Sequence, residues 1–250
     1  MEHQPPQSAH ARRCRNERGE HMRAHTYPVG SGLLTPTRRG RRVVWLACVA
    51  GVLLTALGFI LRVAPFDAPA VEALNRAHTG AWGQIADAIY FMLEPVPAAF
   101  LTLLILITIA AVLRSVRTAI VFGGIVALTW LPTAAIKVVV DRPRPDIFTL
   151  IHPFTPAQVD GSFPSGHTAF IAALSIAFWF LLRGTRGASI ALITGTVSTV
   201  IVGLAVVSDG LHYPTDVLAS IAWAIAMAPT ARWVMVDVIA PRLERYRKRS

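Results

Sequence analysis

The chain has 250 residues, a mean hydropathy of +0.51 and only 15% charged residues, which excludes an ordinary soluble domain, where about a quarter are charged. Its formal net charge is +10, concentrated at the two ends, and no zinc-finger or RNA-binding signature accompanies it, so nucleic acid is not an expected partner. Two cysteines, Cys14 and Cys48, exclude a disulfide framework and a CxxC metal pair.

Residues 1–42 carry nine arginines against three glutamates and mix Pro, Gly, His and Ser without periodicity. Such a segment buries too little apolar surface to offset its ordering entropy, so a disordered basic tail is expected. It does not read as a cleaved signal, because its polar stretch is too long and no small-residue cleavage site follows an apolar core. Six stretches then approach the roughly 20 apolar residues that a membrane span needs: 43–63, 96–113, 118–140, 164–182, 188–207 and 217–236. Lys137 and Arg232 lie near the ends of the third and sixth. Backbone groups in hydrocarbon must pair internally, so these are read as helices. The expected fold is all-α, a six-helix transmembrane bundle over 43–236, followed by a basic C-terminal tail at 237–250. Segment 65–94 is too polar to span. Val71, Leu74, Ile85 and Ile89 have helical spacing there, which predicts one or two interfacial helices.

Orientation follows from the short loops. Arg114 and Arg117 separate spans two and three, and Arg183 and Arg186 separate spans four and five. The basic tails fall on that same side, which the positive-inside rule makes cytoplasmic. Arg62 is an exception, expected to snorkel. Loop 141–163 and turn 208–213 are then extracytoplasmic.

Three polar clusters lie in those two places. In the first, Lys137 is followed by Asp141-Arg142-Pro143-Arg144-Pro145. Cations at membrane depth are costly and usually have a reason. The prolines hold the intervening arginine extended, and a guanidinium offers a bidentate fork to phosphate. The plain alternative is snorkelling, with Asp141 and Asp146 as partners. In the second, Pro164-Ser165-Gly166-His167 opens a helix whose N-terminal N–H groups favour an anion. The plain alternative is an ordinary Ser-Gly helix start. In the third, His212 and Asp216 stand four apart, so one helical turn can join them. A carboxylate on one imidazole nitrogen fixes the tautomer and makes the other nitrogen more nucleophilic. Asp216 serving only the helix N-terminus is the alternative. A metal site of His152, His167, His212 and Asp216 is disfavoured, because Lys137, Arg142 and Arg144 repel a cation and HExxH spacing is absent.

With these residues in place, the sequence resembles the type 2 phosphatidic acid phosphatase family, which shares its core with vanadium haloperoxidases. That family's first motif is Lys, six residues, then Arg-Pro, matched by Lys137 and Arg144-Pro145. Its second is Pro-Ser-Gly-His, matched by Pro164 to His167. Its third is Ser-Arg, five residues, His, three residues, Asp; His212 and Asp216 match, but the Ser and Arg positions hold Ala205 and Val206.

The resemblance implies a metal-independent membrane phosphatase acting on a lipid phosphate, with no cofactor. Lys137, Arg144, Ser165 and the Gly166 N–H would hold the phosphate. His212 would be the nucleophile, Asp216 its orienter and His167 the acid and base. Arg142 is one candidate replacement for the missing third-motif arginine, and Asp209 would repel a phosphate dianion unless it pairs with Lys137 or Arg142. The rival readings are a lipid-phosphate-binding protein without turnover and a phosphotransferase of the same fold.

Overall fold

The computed structural model describes residues 29–37 and 40–242. The regular elements among the described residues are all helical, without strands. In chain order the helices are α1 (Ser31–Leu34), α2 (Gly40–Val63), α3 (Ala68–Asn75), α4 (Gly80–Met92), α5 (Pro95–Val112), α6 (Val116–Trp130), α7 (Pro132–Val140), α8 (Gly166–Leu182), α9 (Gly187–Ser208) and α10 (Pro214–Trp233). A π-helical stretch, Val234–Ile239, prolongs α10.

Local chemistry sets the boundaries. Ser115 caps α6 and Ser165 caps α8, each accepting from the backbone N–H three residues on. Prolines open α5, α7 and α10, where a missing N–H costs nothing. Pro132 divides the third predicted span into α6 and α7, which together still form one apolar stretch, Val116–Val140. The others long and apolar enough to cross a membrane are Gly40–Val63, Pro95–Val112, Gly187–Ser208 and Pro214–Arg242. The remaining predicted span, α8, has 17 residues. At 1.5 Å per residue it measures roughly 26 Å, short of a hydrocarbon core of about 30 Å.

Helix α8 is the centre of the bundle, packed by α6, α9 and α10. Phe170 and Ala177 on α8 are fully buried with Phe122 and Ile125 of α6 and Ala228 and Ala231 of α10. Small residues let backbones approach, as helix pairs in lipid require. At Gly195 on α9 a Cβ would lie 2.6 Å from the Ser175 Cβ of α8. By contrast α2 and α5 leave Trp45, Leu53, Phe100 and Leu104 exposed. Apolar side chains in such numbers suit a hydrocarbon solvent.

Segment 65–94 forms two short helices, as expected, but its buried face differs. Val71 is buried, whereas Ile85 is exposed and the inward residues of α4 are Gly83, Ala86 and Tyr90. Both helices pack on α9. Arg62 does more than snorkel: it donates to the Val140 carbonyl at 2.8 Å and lies 3.6 Å from Asp141.

Of the expected tail, residues 1–28 lie outside the described residues, as do 243–250 at the other end. Residues 29–37 are packed rather than free. Leu33 is fully buried, and Arg232 donates to the carbonyls of Gly32, Leu33 and Thr35. A guanidinium inside an apolar bundle needs acceptors, and this strand of chain supplies them.

Candidate functional site

The three polar clusters meet at one end of the bundle. Helix α7 ends at Val140, and Asp141 turns the chain through left-handed φ/ψ into the Arg142 to Phe163 loop. That loop leads into α8, and the turn from Asp209 to Tyr213 joins α9 to α10 beside it. Gly58 of α2 backs the arrangement. A Cβ there would meet both Phe163 and Val140 at 2.8 Å.

His212 is held at every point but one. Its backbone N–H donates to the Val206 carbonyl at 3.1 Å, and its side chain is 1% exposed. Nδ1 lies 2.8 Å from the Ser162 carbonyl and 3.5 Å from Asp216 Oδ2. A carbonyl only accepts, so Nδ1 carries the proton and Nε2 keeps its lone pair. That Nε2 has no hydrogen-bond partner among the described residues, and neither has His167 Nε2. Burial, with the Arg144 and Lys137 charges adding to it against Asp216, pushes the His212 imidazole down to about 4. Tyr90 packs on His167 with ring centroids 4.5 Å apart.

Behind His212 stands a buried ionic network. Asp216 accepts from the Tyr213 N–H at 2.9 Å through Oδ2 and from Arg142 at 2.6 Å through Oδ1. The second arm of Arg142 reaches Asp67 at 2.8 Å, and Asp67 in turn accepts from the Thr215 N–H and hydroxyl. The guanidinium lies 3.7 Å from the Tyr213 ring centroid. Arg142 is 1% exposed and committed to two carboxylates. It therefore does not replace the third-motif arginine as a phosphate ligand; two buried carboxylates outcompete a surface anion for it. Asp67 went unnoticed in the sequence because it sits 75 residues from Arg142, in a segment read only for its amphipathicity.

Lys137 and Arg144 converge on Asp160, a residue that the sequence did not single out. Asp160 accepts from Lys137 Nζ at 2.8 Å and from Arg144 at 2.6 Å. Despite partial burial, these two cations hold its carboxyl well below the usual carboxylate range. Arg144 also donates to the Leu211 carbonyl at 2.8 Å, which ties it to the residue before His212. Asp141 and Asp146, the alternative partners, are elsewhere: Asp141 faces Arg62, and Asp146 caps its own 3-10 turn, Ile147–Thr149. Nothing in the spacing around Asp160 marked it in advance.

At the start of α8, Ser165 is buried and its Oγ accepts from the Thr168 N–H and hydroxyl. The space beside Gly166 is open, with no atom within 4 Å of where a Cβ would stand. Val206 is fully buried and contributes its carbonyl, which also accepts from the Leu211 N–H. Asp209 pairs with neither Lys137 nor Arg142. It faces His78 Nδ1 at 3.2 Å, and burial, with the Asp87 charge second, pushes its carboxyl up to about 8. Among the described residues, the His and Asp side chains that gather at metal-ligand spacing are His78, Asp87 and Asp209, not the four weighed from the sequence.

Residues 116–239 match the model of the PAP2 superfamily, and all three motif clusters lie within them. The protein belongs to the PAP2 superfamily. Among PAP2 relatives, undecaprenyl-diphosphatase BcrC of Bacillus subtilis is 32% identical over 110 residues, which are 44% of this chain and 54% of that protein. A lipid A 1-phosphatase of Rhizobium etli is 33% identical over 111 residues, 42% of this chain and 43% of that one. The chain thus spans about half the length of the curated relatives it matches. A solved structure, the transmembrane PAP2-type phosphatidylglycerolphosphate phosphatase from Bacillus subtilis, aligns with a TM-score of 0.56 at 20% identity. That alignment covers 78% of this chain and 98% of the other, and establishes a shared fold. With five helices long and apolar enough to span, this PAP2 protein is a multi-pass membrane protein.

Proposed function

We propose that this protein is a membrane phosphatase that hydrolyses a lipid phosphomonoester or pyrophosphate through a phosphohistidine on His212. The observation that carries the reading is the state of His212. Nδ1–H is spent on the Ser162 carbonyl and backed by Asp216, while Nε2 is unprotonated, without a hydrogen-bond partner among the described residues, and under the field of the Lys137 and Arg144 cations. The known activities of the PAP2 relatives named above, on undecaprenyl diphosphate and lipid A, support a lipid substrate.

In this mechanism Lys137, Arg144, the Ser165 hydroxyl and the Gly166 N–H hold the phosphate oxygens. His212 Nε2 attacks phosphorus as the bond to the leaving oxygen breaks. His167, protonated once the phosphate dianion lies beside it, gives that oxygen its proton, then takes one from the water that cleaves the phosphohistidine. Fixed cations and the α8 N-terminus stabilise the transition state, so the residues supply the charge that a metal would. Positive-inside asymmetry, with Arg114, Arg117, Arg183 and Arg186 at the opposite end, supports an extracytoplasmic site and cytoplasmic termini in the cell membrane. Spans 118–140, 188–207 and 217–236, with α8 as a shorter sixth crossing, keep that orientation.

A second reading is lipid-phosphate binding with weak or no turnover. Val206 in the arginine position and Asp160 on the cations favour it.

The test is phosphate release by purified protein from phosphatidate, phosphatidylglycerol phosphate, lipid A and undecaprenyl diphosphate. Activity lost in His212→Ala and in Asp216→Asn is the expected result. Full activity in His212→Ala overturns the nucleophile, and binding without release by the wild type selects the second reading. A cysteine placed in loop 146–161 and labelled only from the cytoplasmic side overturns the orientation.

A further inference from the structure

Beside the phosphate site lies a second polar cleft that the mechanism leaves unused. It has a volume of about 370 Å³ and is lined by His78, Asp87, His152 and Phe154. His78 follows α3, Asp87 is on α4, and Asp209 closes α9. One ligand atom from each of these three lies within 4.8 Å of the others.

Asp209 is the independent sign that something belongs there. Its side chain is 0% exposed, and neither carboxylate oxygen has a hydrogen-bond partner among the described residues. Buried carboxylates are almost always satisfied, because an unpaired one is costly. His78 Nδ1 is 3.2 Å from Asp209 Oδ1 yet makes no hydrogen bond to it. Two atoms sharing a tetrahedral zinc at about 2.0–2.1 Å lie roughly 3.4 Å apart, so that separation suits two ligands of one ion. Asp87 Oδ1, half-exposed at the cleft mouth, now rests 3.4 Å from the other ring nitrogen of His78, and it reaches an ion on Nδ1 by rotating its side chain within the 4.8 Å cluster. Lys137 and Arg144, which oppose a cation at His212, are bound to Asp160 rather than turned toward this cleft.

We propose that His78, Asp87 and Asp209 bind a divalent cation of the zinc class. One imidazole nitrogen and two carboxylates form a ligand set suited to a first-row transition ion, with water completing the coordination. The site's place in the fold gives it a consequence. The ion ties the α3–α4 connection and α4 to the turn that carries His212, three residues beyond Asp209. Asn75 makes the same connection in protein alone, donating to the Ser208 and His152 carbonyls at 2.8 Å each. The ion is a positioning element in this scheme and touches no reacting atom.

The experiment uses the full chain in detergent, stripped with chelator and titrated with Zn2+ alone. His3, His10, His21 and His25 offer zinc ligands of their own, so the readout is the difference between wild type and variants. We expect one more Zn2+ per chain in wild type than in Asp209→Asn, and a rise in unfolding temperature on Zn2+ addition that this variant lacks. Asp87→Asn, at a half-exposed position that keeps the fold, should weaken the extra site at least about tenfold, one carboxylate ligand being lost. Equal stoichiometry and equal thermal response in wild type, Asp209→Asn and Asp87→Asn overturn the proposal. So does a wild type whose unfolding temperature depends on pH but not on Zn2+, which would leave a proton as the only occupant of Asp209. Neither result bears on His212 as nucleophile.

Discussion

Arg142 donates to Asp216 at 2.6 Å, and both side chains are almost wholly buried. The contact turns a sequence motif inside out. Arg142 stands two residues from Arg144 in a stretch that reads as a row of phosphate-facing cations, yet it points into the protein. It holds the carboxylate that backs the candidate nucleophile, with Asp67 as counterweight on its other arm.

Replacing Arg142 with Ala should leave two buried carboxylates uncompensated, a loss of about 3–5 kcal/mol of stability. Thermal unfolding checks the stability. Inhibition by inorganic phosphate checks the role: Arg142→Ala should lower kcat while leaving the inhibition constant nearly unchanged, whereas Arg144→Ala should weaken inhibition. Equal weakening in both would return Arg142 to the phosphate shell.

Asp160 occupies the two cations that the proposed substrate needs, and at half exposure it is displaceable. Asp160→Asn removes a competing charge, so KM for a lipid phosphate should fall by several-fold and phosphate inhibition should tighten. Steady-state kinetics on paired proteins decide this. An unchanged or higher KM would mean that Asp160 orients the cations rather than competing for them. Because its folded carboxyl is depressed, its stabilising contribution is present above the ordinary carboxylate range. That contribution is lost as pH falls through the lowered value.

His212 has its imidazole held down to about 4, chiefly by burial. Its neutral, nucleophilic form therefore persists well below the usual histidine range. The acid limb of kcat/KM, which reports the free enzyme, should fall near pH 4 rather than near 6.5. The linked stability has a definite sign. Unfolded His212 takes up a proton at higher pH than the folded residue, so stability declines as pH drops from about 6.5 to about 4. In His212→Gln, the unfolding midpoint should lose that part of its pH dependence. A pH–rate profile and a pH series of melts test the two halves separately.

Gly166 faces open space, so Gly166→Ala adds a methyl that meets no protein atom. At this first helical position alanine's advantage over glycine is smaller than the roughly 1 kcal/mol of a helix interior. Stability should therefore hold or rise. If a phosphate sits against the Gly166 N–H, the methyl should raise KM by about tenfold or more, equivalent to about 1.4 kcal/mol of binding. A variant that is as stable and binds as well would remove the α8 N-terminus from the phosphate site.

Much of this PAP2 protein was legible from composition and local pattern alone. Apolar runs and the need to pair backbone groups in hydrocarbon determine that the chain is a helical membrane bundle. The spacing of Lys137 with Arg144, of Ser165 with His167, and of His212 with Asp216 marks the candidate site, because those relations lie within one or two turns of chain. The tertiary structure alone decided which carboxylate each cation faces. Asp67 and Asp216 claim Arg142 from positions about 75 residues away, and Asp160 claims Lys137 and Arg144 across a loop. Charge pairing depends on distance in space and on burial, and neither can be read from residue order once the partners lie on different helices.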